Sequence, residues 1–193
     1  MRIGAGRTLP AVEGSSAADV FAAMFGELSP RVYAYARRQC DSATAQDVVA
    51  DTFLVAWRRW ADVPDPPLPW LLVIARNTLA NRVRSAARQH RVAGAVADLA
   101  AVAAPGPEHD AIERENVLTA LGTLSALERE AVLLVAWDGL DNRQAAAVAG
   151  CSVRAFEVRL SRARARLTRA LDSYDSDRDA DVARRTALKG RTS

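Results

Sequence analysis

Arginines cluster on one face of a helix that the sequence predicts from Val153 to Arg169. Apolar side chains three and four positions apart define a stripe for burial: Val153, Phe156, Leu160, Ala163 and Leu167. At about 100° per residue, the opposite face and its edges carry cationic and small residues: Arg154, Val158, Arg159, Ser161, Arg162, Ala165 and Arg166. Guanidinium groups bind both phosphate oxygens and the edge of guanine, so the pattern favours a nucleic-acid contact.

The preceding residues predict the element that positions this helix. Capping residues and glycines mark its boundaries: Ser125 with Glu128, Gly139, Asp141 with Gln144, Gly150, and Ser152. An apolar helix, a short helix, a tight turn and an arginine-rich helix together predict a helix-turn-helix that binds DNA. An arginine-rich helix alone is equally compatible with a solvated surface, and its context decides between the two. Glu157 has two open roles: to accept a bond from a cytosine amino group, or to pair with Arg154 or Arg162.

Composition favours an all-α protein with two basic surfaces. Half of the 193 residues are hydrophobic, which is enough for a sizeable core, and alanine, valine and leucine dominate without a strand pattern. The net charge is only +3, yet five arginines and no acid lie between Arg76 and Arg91. Six arginines and one acid lie between Arg154 and Arg169. Two separate basic segments predict two contacts with a polyanion.

Other classes of function are disfavoured by what the sequence lacks. Cys40 and Cys151 are far apart, and the two histidines, His90 and His109, lie in a basic run and in a linker. This spacing suggests neither a disulfide framework nor a metal site. No nucleophile–base pair or phosphate loop is present, so we expect no enzyme and no cofactor, with a hydrolase or transferase the least favoured class. We find no signal peptide and no apolar run of 18 residues, so we expect a cytoplasmic protein without membrane insertion.

The chain divides into two helical domains with flanking segments. We predict a disordered N-terminus, a first helical domain, a linker, a helix-turn-helix domain and a mobile tail at residues 1–17, 18–91, 92–110, 111–172 and 173–193. In the first domain we expect a helix ending near Leu28 and a second helix opening at Pro30. A third helix is expected from Thr44 to Trp60, followed by a proline-rich loop and a fourth helix from Trp70. We expect core positions for Trp57 and Trp70.

Three segments, in this order, resemble an extracytoplasmic-function (ECF) sigma factor of bacterial RNA polymerase. DVVADTFLVAWRRW at Asp47–Trp60 resembles the family's segment that binds the polymerase clamp. PWLLVIARNTLANRVRSAAR at Pro69–Arg88 resembles its promoter −10 segment. LSALEREAVLLVAWDGLDNRQAAAVAGCSVRAFEVRLSRARARL resembles its −35 binding domain. The resemblance covers most of residues 18–172 and implies two small helical domains joined by a flexible linker.

The resemblance assigns roles to particular residues. It implies polymerase binding by Asp47, Ala50 and Asp51, where the family often has an amide side chain at the position of Ala50. It implies binding of the −10 element by a set on the fourth helix: Arg76, Asn77, Asn81, Arg82, Arg84 and Arg88. It implies binding of the −35 element by a set on the last helix: Ser152, Arg154, Glu157, Val158, Arg159, Ser161, Arg162 and Arg166. The family commonly has a basic residue and serine at positions 157 and 158, so an unusual −35 preference is expected.

The implied partners are promoter DNA and core RNA polymerase, through the clamp of its largest subunit and the flap of its second. Many family members are held inactive by an anti-sigma protein, so such a partner is compatible with the resemblance. Two other functions compete with this interpretation. One is a stand-alone helix-turn-helix regulator that binds duplex DNA as a dimer. The other is a sigma-like adaptor that binds polymerase but not DNA.

Overall fold

The computed structural model describes residues 16–89 and 110–189, with side chains for 16–82 and 115–173. Seven α-helices form the described chain, together with a 3-10 turn at Trp60–Asp62: α1 (Ala17–Arg37), α2 (Ser42–Arg58), α3 (Leu68–Gln89), α4 (Asp110–Gly122), α5 (Ala126–Ala136), α6 (Asn142–Ala149) and α7 (Val153–Lys189). The predicted all-α fold class is confirmed. The predictions for residues 1–15, for nearly all of the linker, and for both histidines lie outside the described residues.

Helix α1 passes through Pro30 without a break, so the prediction that a new helix opens there is wrong. Four buried side chains follow one stripe on both sides of the proline: Met24, Leu28, Val32 and Tyr35. Because this stripe packs against one core, tertiary contacts hold both halves of α1 in line despite the donor that the proline lacks.

Two further helix starts lie upstream of their predicted positions. Helix α2 begins at Ser42, since the Asp41 side chain accepts a hydrogen bond from the Thr44 amide at 2.9 Å and caps the helix. Helix α3 begins at Leu68 and takes Pro69 into its first turn. Proline is tolerated there because the first-turn amides have no partner inside the helix.

The local signals of the helix-turn-helix are confirmed. Ser125 with Glu128 and Asp141 with Gln144 form two capping boxes. Gly139 and Gly150 both adopt φ of 66°, the left-handed region that favours glycine. Ser152 Oγ accepts a bond from the Ala155 amide at 3.2 Å and so caps α7. On α7 the predicted stripe is buried at Phe156, Leu160 and Ala163, whereas Val153 at its start is exposed.

Helix α7 continues to Lys189, well beyond the predicted end of the second domain at Asp172. No glycine or proline lies between these two positions, so nothing in the sequence terminates the helix.

The two domains pack directly on one another. Helices α1 to α3 form the first domain and α4 to α7 the second, and α3 lies against α6. The buried side chains of both domains belong to one continuous cluster. The predicted linker therefore joins domains that share an interface.

Candidate nucleic-acid interface

The outer face of α7 is open to solvent along two turns. Phe156 and Leu160 anchor the opposite face in the core. Four of the predicted −35 residues lie together on the exposed face: Arg154, Val158, Ser161 and Arg162. Two guanidinium groups, a hydroxyl and an apolar side chain thus share one surface, which can contact phosphates and base edges at once.

Glu157 has a partner that the sequence did not suggest. Asn142 Nδ2, in the first turn of α6, donates a long hydrogen bond of 3.5 Å to Glu157 Oε1. The contact joins the start of the scaffold helix to the start of α7. Arg143, next along α6, is exposed at the same end of the domain. Arg143 is therefore a further candidate for DNA contact that the sequence analysis omitted. Its position in the first turn of a short capped helix could have pointed to it.

Arg166 lies away from the open face and pairs with α5. Its Nη1 donates to Glu128 Oε2 at 3.0 Å. The same oxygen accepts bonds from the amide and hydroxyl of Ser125, and these hydrogen bonds, with the nearby positive charge of Arg166, lower the pKa of Glu128. Arg166 therefore fastens α7 to the N-terminus of α5.

Arg159 is turned toward the interior edge of α7. One of its nitrogens, Nη1, is buried and has no hydrogen-bond partner among the described residues. Its charge acts on Glu130 of α5. Burial raises the pKa of Glu130, while the positive charges of Arg76 and Arg159 oppose that rise.

The predicted −10 residues of α3 divide between two sides of the helix. Asn77 and Asn81, one turn apart, are exposed. Arg76 instead faces the second domain, where its guanidinium lies so close to Gly150 that a Cβ there would be 2.6 Å from Nη1. Arg84 and Arg88 lie in α3, with side chains outside the described ones.

Arg82 is bonded to two of the predicted polymerase-binding residues. Its Nη1 donates to Asp47 Oδ2 at 2.9 Å and its Nη2 to Asp51 Oδ2 at 2.6 Å. These hydrogen bonds, that to Asp51 foremost, raise the pKa of Arg82. Arg82, which was expected to bind the −10 element, thus forms one ion-pair cluster with Asp47 and Asp51, which were expected to bind the polymerase.

Apolar side chains extend the acidic surface of α2. Ala50 is exposed between the two aspartates, and Leu54, one turn further, is 47% exposed. Trp57 is 45% exposed, so its expected core position is wrong, although its ring packs edge-on against Phe21 at 4.9 Å between centroids. Large exposed apolar side chains beside charged ones are typical of protein interfaces. Leu54 follows Ala50 by four positions and Asp51 by three, and this helical spacing could have placed it on the same surface of α2.

A buried ion pair joins the two domains. Arg38 Nη2 contacts Asp138 Oδ2 at 2.6 Å, and these side chains are only 9% and 3% exposed. Arg31 donates to the Asp138 carbonyl oxygen at 2.6 Å. Burial raises the pKa of Asp138 against the opposing charge of Arg38. Nearby, Tyr35 donates a long bond of 3.4 Å to Glu130, beside an interdomain cavity of about 300 Å³.

None of the helices described is long and apolar enough to cross a bilayer. Nor does the described part of the chain bring three potential metal-binding side chains together.

Two family models match, one in each half of the chain. Residues 24–89 match sigma-70 region 2, and residues 114–167 match sigma-70, region 4. The first range contains most of α1, all of α2 and all of α3, and the second contains the helix-turn-helix. The chain is therefore a two-domain protein built from sigma-70 regions 2 and 4.

Relatives that are named RNA polymerase sigma factors place the chain within that class. The RNA polymerase sigma factor CnrH of Cupriavidus metallidurans is 38% identical over 68% of this chain and 75% of its own length. The ECF RNA polymerase sigma factor SigK of a Mycobacterium species is 33% identical over 63% of this chain and 67% of its own. The probable RNA polymerase sigma factor RfaY of Xanthomonas campestris is 41% identical over 65% of this chain, but the match spans only 33% of RfaY.

A solved structure agrees with this placement. The sigma factor RpoE of Bartonella quintana, determined in complex with the anti-sigma factor NepR, superposes with a TM-score of 0.62 at 27% identity. The superposition covers 79% of this chain and 97% of RpoE. The chain belongs to the ECF sigma factors of bacterial RNA polymerase, as the three sequence segments had predicted.

Proposed function

We propose that this sigma factor binds core RNA polymerase through α2, recognises the −35 element with α7 and helps to melt the −10 element with α3. The observation that carries the proposal is the exposed face of α7, which is held in place by the buried side chains of Phe156 and Leu160. The role is regulatory rather than catalytic. Since polymerase and promoters are its targets, the protein acts in the cytoplasm.

On α7, the side chains divide between anchoring and recognition. Arg154 and Arg162 are two turns apart on the exposed face, where guanidinium groups bind phosphates or guanine. Val158 and Ser161 lie between them and offer an apolar contact for a thymine methyl group and a hydroxyl for a base edge. An apolar side chain at 158 favours a thymine-containing −35 element.

On α3, Asn77 and Asn81 offer amide groups on one exposed face. Drawing a base out of the stack costs a few kcal/mol, and contacts to the displaced base and its phosphates offset that cost. We assign the −10 contact to this face, with Arg84 and Arg88 as further candidates. Arg76 reaches DNA only after the second domain moves away from it.

On α2, Asp47, Ala50 and Asp51 form an acidic patch for a basic surface of the clamp of the largest subunit. Leu54 adds an apolar contact at its edge. We assign the second domain to the flap of the second subunit. A protein antagonist is a further proposed partner, supported by the anti-sigma complex of the Bartonella relative.

The rival functions lack a supporting observation. A stand-alone regulator has no use for the region 2 half of the chain, which accounts for residues 24–89. An adaptor that does not bind DNA has no use for the open basic face of α7.

Run-off transcription with purified core polymerase on a genomic fragment pool tests the proposal. We expect discrete transcripts whose upstream sequences share two elements. Arg154→Ala with Arg162→Ala should abolish most of this output, whereas Arg164→Ala, an exposed arginine outside that face, should retain it. Absence of transcripts despite polymerase binding would contradict the promoter role. Transcript levels equal to those of the parent protein from both variants would favour the adaptor.

A further inference from the structure

Arg82 links α3 to α2 through two carboxylates, although its sequence context suggests DNA binding. We infer that Arg82 is a positioning residue of the polymerase-binding surface, holding Asp47 and Asp51 in the arrangement that a basic partner recognises. This inference rests on the proposed role of those two aspartates. It reassigns a residue from the −10 surface to the polymerase surface.

The geometry suits a positioning role. Asp47 and Asp51 are one helical turn apart, where like charges repel. The planar guanidinium of Arg82 offers one nitrogen to each, and both bonds go to the Oδ2 atoms, at 2.9 and 2.6 Å. Within the described residues, neither Oδ1 atom has a hydrogen-bond partner. Arg82 thus fixes two carboxylates while leaving one oxygen of each for an external cation.

The same geometry disfavours a DNA contact. Arg82 is 37% exposed, and both terminal nitrogens are occupied by carboxylates. A phosphate approaching this guanidinium would meet two carboxylates of like charge, which already accept one N–H from each terminal nitrogen. Helical spacing also places position 82 about 100° from Asn81 and about 140° from Asn77 around α3. The exposed amide face and Arg82 therefore point in different directions.

Without Arg82, the two carboxylates repel each other and sample many rotamers. A partner would then have to order them on binding, which costs affinity. Because the cluster is part-exposed and solvent-screened, we expect Arg82→Ala to weaken core polymerase binding roughly 3- to 5-fold. Arg82→Lys should restore the affinity only partly, since a single ammonium cannot present a fork to both acids.

Two measurements separate the roles. The first is the affinity of the full chain for purified core polymerase, by fluorescence anisotropy. The second is the affinity of preassembled holoenzyme, at saturating polymerase, for a fork-junction −10 DNA. We expect Arg82→Ala to change the first and not the second. Asn77→Ala serves as the matched control variant. We expect it to weaken binding to the −10 DNA and to leave the affinity for core polymerase unchanged.

A mutant cycle shows whether Arg82 acts through the aspartates. In an Asp47→Asn, Asp51→Asn background, Arg82→Ala should have no further effect on polymerase affinity. A full-size effect in that background overturns the inference, as does normal polymerase affinity with weakened DNA binding. If the aspartate variants themselves bind polymerase normally, the proposed polymerase surface fails. If they bind weakly and Arg82→Ala does not, only the inference about Arg82 fails.

Discussion

Replacing Arg38 by methionine removes the cation that faces the buried carboxylate of Asp138 while keeping an apolar stem of similar length. The Asp138 carboxylate is then left in the interface without its ion-pair partner, and only the weaker attraction of Arg31, which bonds to its backbone carbonyl, remains. Because the pair lies between the two domains, the chain can relieve this penalty by separating them. We therefore expect the variant to open, with each domain still folded.

The size of the effect follows from the cost of a buried, unpaired carboxylate. Breaking such a pair costs about 3–5 kcal/mol. Asp138 can also avoid this penalty in the packed arrangement by binding a proton. With an ordinary pKa of 3.8, protonation costs about 4 kcal/mol at pH 7 and about 2 kcal/mol at pH 5. The penalty on the packed arrangement is therefore close to 4 kcal/mol at pH 7 and halves at pH 5.

The pH dependence has a definite sign. Burial raises the pKa of Asp138, so the packed state holds the proton more tightly than the separated domains do. The contribution of Asp138 protonation to packing is therefore complete below the ordinary pKa and is lost as the pH rises through the raised value. Burial raises the pKa of Glu130 too, which acts in the same direction.

Small-angle X-ray scattering of the free protein checks this. Arg38→Met should increase the radius of gyration at pH 7.5 and recover toward the parent value at pH 5. Adding Asp138→Asn should restore most of the packing at pH 7.5, because neither partner is then charged. Arg59→Met breaks an exposed ion pair inside the first domain and should change nothing. An unchanged radius for Arg38→Met at both pH values would refute the reasoning.

Two further predictions concern stability. Gly139→Ala and Gly150→Ala should each cost about 1–2 kcal/mol in urea unfolding, because both backbones are left-handed; a Cβ on Gly150 also meets Arg76, so any excess cost at Gly150 should vanish in an Arg76→Ala background. A Gly150→Ala variant as stable as the parent would contradict this. Ser125→Ala should lower stability by about 1 kcal/mol through loss of the capping box, whereas Ser125→Thr should retain most of it; equal midpoints for the two variants would argue against the cap.

Local signals are sufficient to predict the helix-turn-helix. Its caps and turns depend on residues no more than three apart, such as Ser125 with Glu128, and on glycines at left-handed positions. The errors arose where tertiary packing outweighed local preference. Pro30 usually marks a helix start, yet the buried stripe of α1 carries the helix through it. Trp57 has helical spacing with other apolar residues, but this spacing does not show whether a residue at the edge of the apolar stripe faces the core or the solvent.

The partners of charged groups were the least predictable part of the site. Arg82 bonds to residues 31 and 35 positions away, and Arg38 to one 100 positions away. No periodicity encodes such pairings, since they depend on how separate helices dock. The sequence therefore predicts where the arginines lie on each helix, and the docking decides which of them meet carboxylates. The open face of α7 and the exposed amides of α3 remain predicted DNA contacts.

The close contact of the two domains holds them nearer to each other than the two promoter elements are. Elements named −35 and −10 are about 25 base pairs apart, or roughly 85 Å of duplex at 3.4 Å per base pair. In the packed arrangement α3 lies against α6 and α6 against α7, so the two helices proposed to bind DNA are separated by about two interhelical distances, roughly 20 Å. The 20 residues from 90 to 109 can reach roughly 70 Å when fully extended, which, with the domains themselves, is sufficient. If α7 binds the −35 element and α3 the −10 element, as proposed, binding both at once requires the Arg38–Asp138 contact to break, and the free energy of breaking it lowers the affinity for such a promoter.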